Sequence, residues 1–233
     1  MSDDFYRAFE EKHRGSRELI KTRLRAYHPF VNPLAEIYKG GNTIDLGCGR
    51  GEWLEIMAEI GLSPCGVDLD DGMLSDCLAL NLPAQKEDAI AFLKSLGDES
   101  QVIVSAFHLV EHVCFDQLQS IVLESLRVLK LGGLLIMETP NPENIVVATC
   151  NFYIDPTHQK PIPPQLLSFL PEYYGFNRTK VVRLQESKEL LMSQTSTLKD
   201  VFVGVSPDYA VIAQKTASIE ILEFFDQAFN NEY

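Results

Sequence analysis

One short stretch limits what this chain can fold into more than any other: Asp45-Leu46-Gly47-Cys48-Gly49-Arg50-Gly51. Thr43-Ile44-Asp45-Leu46 reads as a buried strand and Glu52 to Ile60 as a helix, so three alternating glycines fall in the link between them. Glycine lets the backbone turn tightly and brings a ligand against bare main chain at the positive end of the following helix. The spacing is G-x-G-x-G after an acid, which differs from the G-x-G-x-x-G of a dinucleotide-binding turn. Asp68 closes a second strand-like run, Cys65-Gly66-Val67-Asp68, 21 residues after Gly47. A carboxylate at that strand end can accept both hydroxyls of a ribose. Asp88, a further 20 residues on, is placed to meet an adenine amino group.

The same alternation continues downstream. Met73 to Leu80, Asp88 to Leu96 and Phe115 to Leu129 read as helices; Val102 to Ser105, and Leu134 to Glu138 after the Gly132-Gly133 turn, read as strands. Strands separated by helices of this length predict an α/β fold, a doubly wound, mostly parallel sheet with helices on both faces. Residues 1–40 read as an amphipathic helical cap, with Ser16 capping a helix that carries Leu19, Ile20, Leu24 and Tyr27 and is broken by Pro29 or Pro33. The main domain is expected over 41–215, with a proline-rich insert at about 140–175 holding Pro140, Pro142, Pro156, Pro161, Pro163 and Pro164. Thr179 to Leu184 and Tyr209 to Ala213 are expected to complete the sheet as a hairpin. Residues 216–233 read either as a terminal helix or as the start of a longer interaction region, the chain then being a piece of something longer.

Charge excludes one class of partner. With 20 Lys+Arg against 33 Asp+Glu the net charge is −13, the wrong sign for tracking a nucleic-acid backbone. Cys48, Cys65, Cys77, Cys114 and Cys150 form no C-x-x-C pair and read as reduced, mostly buried thiols. Met1 to Glu11 is polar, and no apolar run is long enough to span a bilayer. The expectation is a cytoplasmic protein, with peripheral attachment to the inner membrane only through a partner.

From about Asn42 to Asn144 the order and spacing of these features resemble the class I S-adenosylmethionine-dependent methyltransferases. Ser105-Ala106-Phe107-His108 and Leu131-Gly132-Gly133 belong to the match, with Leu131 standing where the family usually has proline. The resemblance implies a seven-stranded Rossmann-like methyltransferase fold with S-adenosyl-L-methionine across its first strands. It would place Asp45, Gly47, Gly49 and Gly51 against the methionine part, together with Phe107. Asp68 and Leu69 would hold the ribose side, and Asp88 and Ala89 the adenine.

A narrower resemblance, to bacterial polysaccharide methyltransferases that include O-antigen chain terminators, rests on four stretches. They are His13 to Glu18, Gly49-Arg50-Gly51-Glu52-Trp53, Thr139-Pro140-Asn141-Pro142 and Asp155-Pro156-Thr157-His158. It implies a neutral glycan acceptor, methylation of a terminal-sugar hydroxyl, Arg14 or Arg17 on the cofactor carboxylate, and an assembly partner for the C-terminal helix. Two other functions fit the same residues: an O-methyltransferase for small molecules of the quinone or secondary-metabolite kind, and a non-catalytic binding module of an assembly complex.

A hydroxyl must lose its proton, or be polarised, before it attacks a sulfonium methyl. His108, Glu111 and His112 form H-x-x-E-H directly after the fourth strand, on one face if helical, and His158 lies with Asp155 in the insert. In one reading His158 or His112 is a general base oriented by Glu111 or Asp155. In the other, His108, Glu111, His112 and His158 hold a divalent metal. Similar class I enzymes carry Glu at the first position of this segment, and His108 in its place favours a borderline transition metal, or none. Phe152, Tyr153, Tyr173 and Tyr174 offer faces for a sugar ring, and Asn141 and Asn144 offer hydrogen bonds to it.

Overall fold

A computed structural model describes residues 15–186, 190, 195 and 197–231. Seven strands form one sheet in the order β3-β2-β1-β4-β5-β7-β6. They are β1 (Asn42–Leu46), β2 (Ser63–Asp68), β3 (Ala84–Lys86), β4 (Gln101–Phe107), β5 (Leu129–Pro140), β6 (Arg178–Leu184) and β7 (Asp208–Gln214). The first five are parallel, and β7 runs antiparallel between β5 and β6. This is the expected doubly wound methyltransferase sheet. Strand order reverses between β1 and β4, and there the strand ends diverge and leave a crevice.

Both faces of the sheet are covered, which explains the unbroken apolar runs. Along β5, Leu134 and Ile136 join one core while Leu135 and Met137 join the other; Tyr209 to Ala213 of β7 alternate in the same way. One core takes α1 (Arg17–Leu24), α2 (His28–Ile37) and α3 (Glu52–Glu59) through Leu24, Phe30, Leu34, Trp53 and Met57. The other takes α5 (Ala89–Ser95), α6 (Phe115–Val128) and α8 (Pro164–Tyr174) through Leu93, Ile121 and Leu167, while α4 (Asp71–Ala79) and α7 (Ile145–Thr149) bury Leu74 and Val147. Ser16 caps α1 as expected, its side chain accepting from the Leu19 N–H.

Several sequence expectations need correction. Neither Pro29 nor Pro33 breaks the first helix: α1 ends at Leu24, Pro29 stands in the first turn of α2, and Pro33 lies inside it. Proline lacks only an N–H that a helix start leaves unused. Strand β3 was invisible because Ala84-Gln85-Lys86 is short and polar; only its pairing with β2 defines it. Gly132-Gly133 is not a turn before β5 but lies within it, where the β4–β5 register shifts. Strands β6 and β7 pair as expected, yet their connection is long and carries α9 (Leu198–Val203), so they are no tight hairpin. The terminal segment forms two short helices, α10 (Ile219–Glu223) and α11 (Asp226–Asn230). Phe225 and Phe229 bury against the sheet, and the Arg178 guanidinium bonds Asp226 at 2.7 Å, so this segment docks on its own core. Of the cysteines only Cys48 and Cys77 are buried, while Cys114 and Cys150 are exposed. Among the described residues no helix is long and apolar enough to cross a membrane.

Candidate active site

A cavity of about 540 Å³ opens over the crevice, within the size range of small-ligand sites. Gly47 and Gly49 line it; both have positive φ, 68° and 53°, which a side chain would strain. Asp68 stands at the end of β2, its Oδ2 accepting the Gly49 N–H at 2.8 Å and its Oδ1 the Asp70 N–H at 2.9 Å. Two amide donors fix this carboxylate while each oxygen keeps a lone pair for a further hydroxyl. Asp45 also lines the wall, with Ser105 Oγ donating to it at 2.7 Å. Phe107 forms part of the same wall and packs edge-on against Trp53.

Other expected cofactor residues lie elsewhere. Gly51 takes the first position before α3 at φ 81°, packed under Leu82 and Cys77 and outside the cavity wall. Asp88 caps α5, its Oδ1 accepting from Ile90 and Ala91, and Ala89 begins that helix. Asp88 and Leu69, which is 64% exposed, lie beyond the enclosed cavity, though the Glu87 N–H bonds the Asp68 carbonyl and keeps this edge beside β2. Arg17 is committed elsewhere: its guanidinium pairs with Glu55 at 2.8 Å and donates to the Arg50 carbonyl at 2.8 Å. Arg14 lies outside the described residues. The cavity arginine is Arg23, which the sequence reading passed over although it shares a helix face with Ile20 and Leu24.

The histidines do not gather as one set. Only Val110–His112 is helical, a single 3-10 turn, and His108 precedes it at φ 52°. That left-handed backbone turns His108 toward Glu138 and Asp208, while His112 faces His158 and Glu111. The expected four-residue metal set therefore separates into two trios: Glu111, His112 and His158 could hold a cation, and His108 belongs with Glu138 and Asp208.

In the first trio, His158 Nδ1 stands 2.6 Å from the Phe152 carbonyl oxygen, which can only accept, so Nδ1 carries the hydrogen. Its Nε2 lies 3.9 Å from Asp155 Oδ2 and 4.0 Å from Glu111 Oε1. Thr157 Oγ1 donates to Asp155 at 2.6 Å, which leaves it to accept from His112 Nδ1 at 2.9 Å. Burial, aided by the neighbouring histidines, lowers the His112 pKa and keeps that ring neutral. The His112 ring thus presents an Nε2 lone pair.

The second trio is a cluster of opposed charges. Burial disfavours the cation of His108, but contacts to Glu111 at 3.2 Å and Glu138 at 3.4 Å outweigh it and hold its pKa well above the usual value. The ring still faces the cavity and is 46% exposed. Burial would raise Glu111, yet His108 brings it below the carboxylate norm. Tyr27 donates to Glu138, and Gln185 Nε2 donates to Asp208 at 2.6 Å. Burial and the Glu138 field push Asp208 up to about 6. Gln185 also has positive φ, 60°. Glu138, Gln185 and Asp208 were missed because nothing local marks them; they meet only at the ends of β5, β6 and β7.

Residues 44–137 match the family model described as a methyltransferase domain. The crystal structure of an S-adenosylmethionine-dependent methyltransferase from Archaeoglobus fulgidus is 37% identical, covering 91% of this chain and 100% of that one, with a TM-score of 0.77. The chain belongs to the S-adenosylmethionine-dependent methyltransferases. A curated relative from Mycolicibacterium smegmatis, designated a probable S-adenosylmethionine-dependent methyltransferase, is 28% identical over 117 residues, and the match spans 45% of its length and 50% of this chain. A Thermotoga maritima structure described as a possible histamine N-methyltransferase shares the fold, with 17% identity, coverage of 92% and 97%, and a TM-score of 0.62.

The cavity fits the methyltransferase cofactor. Bare glycine backbone meets a fixed carboxylate at Asp68, and the buried Trp53 contributes an indole N–H with no hydrogen-bond partner. Among the acceptor residues expected from sequence, Phe152 is buried and packs against His158, with ring centroids 4.5 Å apart. Tyr153 is 63% exposed, while Tyr173 and Tyr174 lie on α8 outside the cavity. Asn141 and Asn144 are buried and bond the Ser206 and Val205 carbonyls, so they hold the approach to β7 and do not meet an acceptor.

Proposed function

We propose that this methyltransferase acts on oxygen, methylating a hydroxyl of a neutral, polyhydroxylated acceptor, the terminal sugar of a bacterial surface polysaccharide such as O-antigen. The observation that carries the reading is the tautomer of His158. Its Nδ1 hydrogen is tied to the Phe152 carbonyl, which leaves Nε2 as a basic lone pair in the cavity wall. An amine acceptor needs no such base if it arrives unprotonated; a hydroxyl does.

Bound S-adenosylmethionine supplies an electrophilic methyl group on a sulfonium. His158 Nε2 takes the acceptor's hydroxyl proton as oxygen forms its bond to the methyl carbon and the carbon–sulfur bond breaks. Asp155 and Glu111, at 3.9 and 4.0 Å, stabilise the resulting imidazolium. Glu138, Asp208 and Gln185, with the cationic His108, provide acceptors and donors for the remaining hydroxyls. Asp68 orients the ribose, and Asp88, Leu69 and Ala89 form the adenine edge beyond it. Positioning contributes the rest of the rate.

The test is mass spectrometry of a panel of lipid-linked glycans, free sugars, quinols and amines after incubation with isotopically labelled cofactor. A labelled O-methyl ether on a glycan terminus supports the reading. Transfer only to amines, or only to quinols, overturns the glycan assignment, and no transfer to any acceptor by cofactor-loaded protein favours a binding module.

A further inference from the structure

The cavity wall has an unusual charge pattern. Among the described residues lining it, seven are Asp or Glu, and Arg23 is the one Lys or Arg. The cofactor is cationic at its sulfonium and α-amino group and anionic at its α-carboxylate. An acidic wall suits the first two and repels the third, more strongly as water is displaced, unless a cation faces it.

Every other described cation around α1 is already occupied. Arg17 pairs with Glu55 at 2.8 Å, Arg50 with Glu52 at 2.7 Å, Lys21 with Glu59 at 2.6 Å and Arg25 with Glu18 at 3.4 Å. The Arg23 side chain makes no hydrogen bond or ion pair with a described residue. Its field does reach Asp208, which places it toward the ends of β5 and β7, away from the β2 end that carries Asp68. On the same wall Trp53 is 2% exposed, and its Nε1–H lacks an acceptor. A buried donor without a partner calls for one.

We infer that Arg23 holds the α-carboxylate of S-adenosylmethionine, with the Trp53 indole N–H as a second donor for the same anion. The guanidinium fork matches a carboxylate in two parallel bonds, and α1 thereby closes over the methionine end of the cofactor. The assignment is independent of the acceptor, because it concerns the cofactor alone.

Calorimetry with two ligands isolates the contact: S-adenosylmethionine, and decarboxylated S-adenosylmethionine, which keeps the sulfonium and the amino group. Arg23→Ala should weaken the first about ten- to a hundredfold, the span of a charged hydrogen bond, and leave the second unchanged within about twofold. Arg23→Lys should fall between, since a point charge replaces the fork. Thermal unfolding of the cofactor-free variants checks folding, and Arg23→Lys alone carries the comparison if the alanine variant is unstable. Equal weakening of both ligands, or unchanged affinity for the first, overturns the inference.

Discussion

His158 Nδ1 lies 2.6 Å from the main-chain oxygen of Phe152, a residue 2% exposed whose ring also packs against the imidazole. One seven-residue segment, Phe152 to His158, thus fixes both the tautomer and the orientation of the proposed base. A carbonyl does not change protonation state, so the Nε2 lone pair is maintained without any carboxylate bonded to Nδ1.

His158→Ala should lower methyl transfer about a hundred- to ten-thousandfold while leaving cofactor affinity unchanged. Steady-state turnover and calorimetry measure the two halves. Turnover within a few-fold of wild type, at about the precision of such assays, would clear His158 of proton abstraction.

Exhaustive chelation tests the Glu111, His112 and His158 trio as a metal centre. With His158 acting as base, activity should survive chelation and dialysis. Activity that disappears and returns with zinc or manganese would make the trio ligands instead, and metal analysis of the active protein would then show a stoichiometric ion.

Asp68→Ala should weaken cofactor binding about a hundredfold or more, since it removes a charged acceptor for two hydroxyls and leaves the Gly49 and Asp70 amides unpaired. Calorimetry gives the answer, and wild-type affinity would displace the ribose from this strand end.

Asp208 supplies a pH test of stability. Its folded pKa of about 6 lies above the ordinary value of 3.8, so the fold favours the protonated form. That contribution is full at low pH and is lost as pH rises from about 4 through 6. Asp208→Asn, which cannot ionise and still accepts from Gln185, should therefore unfold at a higher temperature than wild type at pH 8, with the difference shrinking at about pH 4. Thermal scans at both pH values check it; a less stable asparagine variant at pH 8 would contradict the sign.

Gly51→Ala should destabilise the fold by about 1–3 kcal/mol. A Cβ there would lie 2.7 Å from Leu82 Cδ1 and 2.9 Å from Cys77 Sγ, at a φ of 81°. Urea denaturation measures the loss.

Much of the protein was legible before any tertiary contact. The sheet, the glycine loop and Asp68 are written locally, because strand and helix periodicity, turn glycines and the acid at a strand end act over a few residues. Asp45 bonding Ser105 and Asp68 bonding Gly49 follow from neighbouring parallel strands in their expected order. Other parts had no local signal. His108 separates from His112 and bridges Glu111 and Glu138 from a left-handed backbone, which no periodicity predicts. Arg17 and Arg23 share a helix and a residue type, and only packing pairs one with Glu55 and leaves the other facing the cavity. Tyr27 and Glu138 bond across 111 residues, and Gln185 and Asp208 complete that floor from the two antiparallel strands. The amino-acid sequence determined a cofactor fold and the carboxylate at the end of its second strand by short-range rules. The tertiary structure decided which charges meet and which stay free, because that depends on strand order and on the few side chains brought to one end of the sheet.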